Sequence, residues 1–174
     1  ALAIAASLFG LKCKVFMGRH DMERQRIQVF RMRSLGCEVV PCDQGSKTLV
    51  EAVSSCIRYF TANSDRVHMC VGSCVSSTIW VKICAWAQSI IGKEMEEQMI
   101  DMFGKIPDKL NIVCAIGGGS SSYGAFSHFI DKEHVKLTGI EAGGPQGKNK
   151  GADSLSRGTI GVLHGSKSYL LQDK

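Results

Sequence analysis

The sequence predicts an α/β fold built as layered parallel-sheet lobes, and three observations predict it. Short apolar runs recur along the chain: Lys14 to Met17, Glu38 to Pro41, Val67 to Val71, Asn111 to Ile116 and Val135 to Ile140. A helical pattern separates most of these runs from the next, and strands alternating with helices are the mark of βαβ units. At 174 residues, with 44% apolar and 21% charged residues, the chain is long enough and ordinary enough in composition to bury real cores.

Each element has its own local reason. Residues 1–9 are rich in alanine and leucine and read as a helix closed by Gly10. After the first strand, Asp21 is the expected N-cap of a helix running to about Leu35, where Gly36 stops it. Ile27, Val29, Phe30 and Met32 supply its expected buried stripe. Ser46 or Lys47 opens the next helix, which runs through Phe60 with Leu49, Val53, Cys56, Ile57 and Phe60 on one face. Thr78 to about Phe103 is helical, with a break expected near Gly92. Ser121 to Ile130 is a further helix, and residues 141–161, rich in Gly, Lys and Ser, read as loop. The joint between two lobes falls somewhere in residues 72–90.

Composition excludes several classes of function. The net charge of +5 is mild. Arg24, Arg26, Arg31 and Arg33 read as a solvated helix face, so no nucleic-acid partner is expected. The eight cysteines form no C-x-x-C pair and mostly sit in apolar runs, which points to buried free thiols in a reducing compartment. The histidines lack ligand spacing with them, so no metal site is expected. No apolar stretch is long enough to span a membrane. The chain opens in mid-helix without an initiating Met, and reads as cut from a longer one.

The stretch "CAIGGGSSSYGAF", residues 114–126, carries the strongest chemical signal. A strand ends in three glycines and a serine-rich helix start follows. Glycines admit an anion close to the backbone, and a helix N-terminus offers unpaired N–H groups and a positive dipole end. Ser120, Ser121 and Ser122 add hydroxyl donors. A ligand-free, glycine-rich strand–helix turn satisfies the same pattern. The dinucleotide fingerprint fails, because after Gly117 and Gly119 the next glycine is Gly124, and no Walker loop is completed. What remains is a cup for a phosphate on something smaller than a dinucleotide.

Other stretches place this cup in a wider pattern. "MGRHDMERQRIQVFRMRSLGCEVVP" (17–41) is followed by "GSKTLVEAV" (45–53), "VGS" (71–73) and "QSIIGKE" (88–94). After the cup come "LTGIEAGG" (137–144) and "GVLHGSKSYLLQD" (161–173). In this order, over nearly the whole chain, they resemble the tryptophan synthase β subunit family. The resemblance implies the fold-type II architecture of pyridoxal 5′-phosphate enzymes, incomplete here at both ends. It also implies the family's reaction, the condensation of indole with L-serine to L-tryptophan. By resemblance, Gly117, Gly118, Gly119, Ser120 and Ser121 hold the cofactor phosphate. Residues 1–87 belong to the N-terminal lobe, with a communication-like region over about 1–72 that contains Arg24. Residues 88–174 belong to the phosphate-binding lobe. An α subunit and a second β subunit are the implied partners, and the cytoplasm (or the plastid, in a plant or alga) the implied location.

The family's Schiff-base lysine lies in an H-K-x-N motif and its acidic partner in E-T-G-A-G-Q-H-G, both expected before residue 1. The serine facing the pyridine nitrogen is expected after residue 174. No lysine here matches the Schiff-base motif, so no catalytic residue is assigned in this segment, and Glu141 receives no catalytic role. Four departures stand out: Ser121 replaces the family's Asn, Val50 replaces a Lys, "SSTIWV" (76–81) replaces G-P-H-P-Y-P, and Lys109-Leu110 reads as a short insertion. They leave a second reading beside the enzyme segment, a non-catalytic relative that keeps the scaffold and a partner surface.

Overall fold

A computed structural model describes residues 1–144 and 151–172. The chain divides into two units, Ala1–Cys70 and Val71–Lys174.

The first unit begins with helix α1 (Leu2–Leu8) and strand β1 (Lys14–Gly18). Helices α2 (Arg19–Arg24) and α3 (Arg26–Ser34) then cross over to strand β2 (Glu38–Cys42), which pairs parallel to β1 in the register Lys14↔Glu38 to Gly18↔Cys42. Helix α4 (Leu49–Ala62) follows. Register partners share a face in a parallel pair. The Lys14 and Phe16 face meets Tyr59 of α4: the Phe16 and Tyr59 rings lie 5.4 Å apart and the Lys14 ammonium sits 4.6 Å from the Tyr59 ring. Cys37 and Val39 point the other way and are buried, and α3, which buries Val29, packs on β2.

Three expectations need correction in α2 and α3. The single helix from Asp21 to Leu35 is two helices, because Gln25 leaves helical geometry (φ −111°, ψ 34°). Asp21 is not the cap: Gly18 holds that position, and the buried Asp21 carboxylate is taken by Arg24. Gly36 does stop α3, in the left-handed conformation at φ +78°. Ile27 and Phe30 are 63% and 71% exposed, so only Val29 and the half-buried Met32 form the buried stripe. Periodicity put the four on neighbouring faces, but the sheet is too narrow to cover them all.

Helix α4 starts two to three residues later than expected for an identifiable reason. Thr48 is its N-cap in a capping box with Glu51, whose carboxylate also accepts from the Ser46 N–H (2.9 Å) and hydroxyl (2.6 Å). These donors, the Ser46 hydroxyl first, hold the Glu51 carboxyl down at about 2. Its unfolded value is about 4.3. The folded pKa is the lower one, so the stabilisation is complete above the unfolded value and is lost as pH falls through the folded one. Glu51→Gln is expected to lower the thermal midpoint near neutral pH. The wild-type advantage should shrink as pH drops from about 5 to 2. Thermal melts of both proteins across that range measure it, and a pH-independent difference would refute the cap.

The second unit contains α5 (Thr78–Gln88), α6 (Ile90–Phe103), β3 (Leu110–Ala115), α7 (Ser120–Phe126) and β4 (Val135–Ile140). Helix α8 (Ser154–Arg157) and the strands β5 (Thr159–Leu163) and β6 (Ser166–Leu170) complete it. Strands β3 and β4 pair parallel from Leu110↔Val135 to Ala115↔Ile140, whereas β5 and β6 form an antiparallel hairpin. Its turn places His164 and Gly165 at φ +50° and +79°, as a tight two-residue hairpin requires. Ile112, Ala125, Phe129 and Val135 form the core, with Met95 and Met99 of α6 packed against it.

The long helix breaks at Ser89 rather than near Gly92. Gly92 is instead a point of close approach: a Cβ there would lie 2.6 Å from the Cβ of His128 and 3.0 Å from the Gly124 carbonyl. Glycine at this position lets α6 pass α7, and the same crossing joins Glu96 to both His128 and Lys132. Helix α7 ends at Phe126, short of Ile130. Residues 67–71 join no ladder among the described residues, so the expected strand does not form there. The run 141–161 is not all loop, since α8 and the start of β5 fall within it, while its residues 145–150 lie outside the described residues. The thiols are all free, but only Cys37, Cys42 and Cys84 are buried, and Cys70 is exposed. No helix among the described residues is long and apolar enough to cross a membrane.

Candidate functional site

The glycine cup sits where β3 gives way to α7. Ladder pairing extends one residue past β3, with the Ile116 N–H donating to the Ile140 carbonyl at 2.8 Å. The chain then turns through Gly117, Gly118 and Gly119 into the first turn of α7. Gly119 is the N-cap at φ +83°, a conformation that costs other residues about 1–2 kcal/mol. Gly118 is held from outside the turn. Its carbonyl accepts from the Cys74 N–H at 2.9 Å and from the Ser73 hydroxyl at 3.2 Å. A Cβ on Gly118 would lie 2.5 Å from that hydroxyl oxygen, so any side chain there would displace the Ser73 hydroxyl from its bond. A Cβ on Gly117, by contrast, would meet nothing within 4 Å. The space above Gly117 is free for a ligand.

The serines divide into two kinds. The Ser122 hydroxyl donates back to the Gly119 carbonyl at 3.0 Å and is buried, so it braces the turn and is not a free donor. Among the described residues, the hydroxyls of half-buried Ser120 and exposed Ser121 have no protein partner. The first N–H groups of a helix have no intrahelical acceptor either.

The cup opens into a cavity of about 430 Å³, within the span of roughly 300–1,000 Å³ usual for small-molecule sites. Its other walls are Cys74 and Val75, Ser154 and Leu155 of α8, and Ile160, Lys167 and Tyr169 of the hairpin. Glu141, just past β4, fixes the α8 wall. Its carboxylate accepts from the N–H groups of Leu155 (2.9 Å) and Ser156 (3.0 Å) and from the Ser156 hydroxyl (2.7 Å). The Leu155 N–H above all holds its carboxyl below the usual range. Glu141 is thus a structural ligand of a helix end. Asp153 and Arg157 clasp each other on α8 at 2.5 and 2.6 Å. Lys167, the one cation lining the cavity among the described residues, was not among the expected site residues; it lies in the "GVLHGSKSYLLQD" stretch, which carried no site role, and the hairpin brings it to the cavity. No cluster of groups able to hold a metal ion occurs among the described residues.

The sequence pattern of pyridoxal-phosphate dependent enzymes matches residues 1–167. The chain belongs to the pyridoxal-phosphate dependent enzyme family. Within that family it is similar to the tryptophan synthase beta chain of Shouchella clausii, at 44% identity over 100% of this chain and 43% of that one. It is also similar to that of Dinoroseobacter shibae, at 43% identity over 99% of this chain and 42% of that one. The chain therefore spans less than half the length of these curated relatives. Its fold is that of the family. A crystal structure of a hydrogen sulfide-producing enzyme with an α-aminoacrylate intermediate matches with TM-score 0.64 at 15% identity, covering 83% of this chain and 40% of that one. The family's cofactor is compatible with this cup: the turn carries no side chain over Gly117 to Gly119, leaves space above Gly117, and keeps two hydroxyls unpaired beside a helix N-terminus.

Proposed function

We propose that this chain supplies the phosphate cup and the communication lobe of a tryptophan synthase β-type enzyme. The observation that carries the reading is its 42–44% identity to five tryptophan synthase beta chains over at least 99% of its length, cup included. When bound, pyridoxal phosphate supplies an electron sink for a carbanion beside the substrate nitrogen. The residues of this chain would bind and orient it. The N–H groups of Gly117, Gly118, Gly119 and Ser120 and the hydroxyls of Ser120 and Ser121 would receive the phosphate oxygens. Lys167 adds positive charge to the cavity wall, and Leu155 and Ile160 add apolar lining.

Indole and L-serine are the substrates of this reading, and an α subunit and a second β chain its partners. Residues 1–87 and 88–174 would belong to its N-terminal and cofactor-phosphate lobes, with the communication-like region over about 1–72. The test is tryptophan formation by the full-length protein from indole and L-serine with the cofactor added. Cofactor bound at one equivalent without tryptophan would establish the alternative, a non-catalytic relative. The "SSTIWV" segment favours that alternative, since α5 begins within it in place of a proline-rich turn.

Ser121 bears on affinity in either case. Asn carries a longer reach and two donors where Ser has one. Ser121→Asn is expected to tighten cofactor binding about five-fold, the equivalent of roughly 1 kcal/mol for one better hydrogen bond. A cofactor titration followed by absorbance measures this, and an unchanged or weaker affinity would remove Ser121 from the phosphate shell.

A further inference from the structure

Cys13 and Cys37 are the residues immediately before β1 and β2, at the same end of the parallel pair. The regular register begins at Lys14↔Glu38, and the Glu38 N–H donates to the Cys13 carbonyl at 2.9 Å, which holds Cys13 against the peptide that joins Cys37 to Glu38. Neighbouring strands lie about 4.8 Å apart, inside the roughly 4.4–6.8 Å between Cα atoms that a disulfide spans. Each cysteine directly precedes a member of the Lys14↔Glu38 pair, so the two side chains project to the same side, opposite to Lys14 and Glu38, and the Cys13 thiol is close enough to act on the Cys37 thiol. Their exposure differs. Cys37 is buried and its Sγ donates to the Glu38 carbonyl at 3.7 Å, whereas Cys13 is half-buried. Burial, reinforced by the Cys13 thiol, pushes the Cys37 thiol up to about 11. Cys13 is therefore the group that a reagent in solution meets first, and Cys37 waits behind it.

We propose that Cys13 and Cys37 form a reversible cross-strand disulfide site, oxidised by small disulfides of the glutathione class. The Cys13 thiolate, having lost its proton to solvent, attacks one sulfur of the small disulfide. A Cys13 mixed disulfide forms and one small thiolate leaves. Cys37, deprotonated in turn, attacks the Cys13 sulfur, closes the intrachain bond and releases the second small thiolate. The two leaving thiolates take up the two protons. In sum, two protein thiols are oxidised and one small disulfide is reduced to two thiols. The bond closes a loop that contains α2 and α3, so it removes freedom from the unfolded chain and resists detachment of the arginine-bearing helices from the sheet. Cys42 is not an equivalent partner, because its register neighbour is Gly18.

The experiment treats the purified protein with oxidised glutathione, blocks remaining thiols with N-ethylmaleimide in urea, and maps linked peptides by mass spectrometry. The expected product links the peptide bearing Cys13 to the peptide bearing Cys37. It should form in Cys42→Ser but not in Cys13→Ser or Cys37→Ser, with circular dichroism confirming that each variant is folded. The oxidised wild type should melt ~5 °C higher or more, and dithiothreitol should reverse the shift. A link mapped to Cys42 and Cys56 would overturn the proposal, as would a Cys13 mixed disulfide that never resolves. So would formation no faster in the folded protein than in urea. Because Cys13 is half-buried, Cys13→Ser keeps the test valid even if Cys37→Ser fails to fold.

Discussion

Gly118→Val is expected to weaken pyridoxal 5′-phosphate binding by the full-length protein at least ~100-fold, the equivalent of losing about 3 kcal/mol. The reason lies outside the turn itself. The first atom of any side chain at residue 118 would sit 2.5 Å from the Ser73 hydroxyl oxygen. The Ser73 hydroxyl must turn away, which breaks its bond to the Gly118 carbonyl, and the branched Val side chain then crowds the 73–74 segment that also holds this carbonyl through the Cys74 N–H. The N–H groups of the cup then no longer converge, and charge-assisted bonds worth roughly 1.5–3 kcal/mol each are lost. Gly117→Ala is the informative control, since its Cβ meets no protein atom within 4 Å. That variant should fold normally, and any loss of cofactor affinity in it reports contact with the ligand. Cofactor titrations with circular dichroism on both variants decide the matter. A Gly118→Val protein that binds within threefold of wild type would remove the cup from the cofactor site.

Phe129→Ala is expected to have the largest effect on stability, about 3–5 kcal/mol. Phe129 is the only large side chain with no exposure among the described residues. It packs in the core with Ile112, Ala125 and Val135, and the His128 ring meets it edge-on at 5.2 Å. Folded domains hold only about 5–15 kcal/mol in total, so this loss is a large share of the whole. The neighbouring Ile130 is 70% exposed, and Ile130→Ala should change stability by no more than about 0.5 kcal/mol. Urea denaturation of both variants measures the contrast. Equal effects at the two positions would show that the core has been placed wrongly.

That contrast marks how far a sequence can be read. Phe129 and Ile130 are adjacent, apolar and equally plausible as core residues, and only packing separates them. Likewise Ile27 and Phe30 carry the right period for a buried stripe and are exposed, because periodicity names a face but not what covers it. Strands β1 to β4 were legible within a residue or so, since a parallel strand buried on both faces is a continuous apolar run. The Val67 to Val71 run looks the same but has no partner strand among the described residues. The helix break fell at Ser89 and not at Gly92, because the glycine serves a neighbouring helix rather than its own.

The candidate site was legible in part for similar reasons. Gly117 to Ser121 stood out because a strand, a glycine turn and a helix start are consecutive in the chain. The cavity walls from α8 and the β5–β6 hairpin, and Lys167 among them, come from the far end of the chain, and nothing in their sequence names a site role. By itself the sequence determined the family, the order of elements and the presence of a glycine cup, since these depend on residues near one another or on ordered motifs. Tertiary structure decided what holds the Gly118 carbonyl, which serine is committed to the turn, and that Cys13 lies against the start of β2. Those facts depend on contacts between residues distant in the chain, such as Ser73 with Gly118, 45 positions apart. Local preference cannot encode such a contact, because it forms only when packing brings the two segments together.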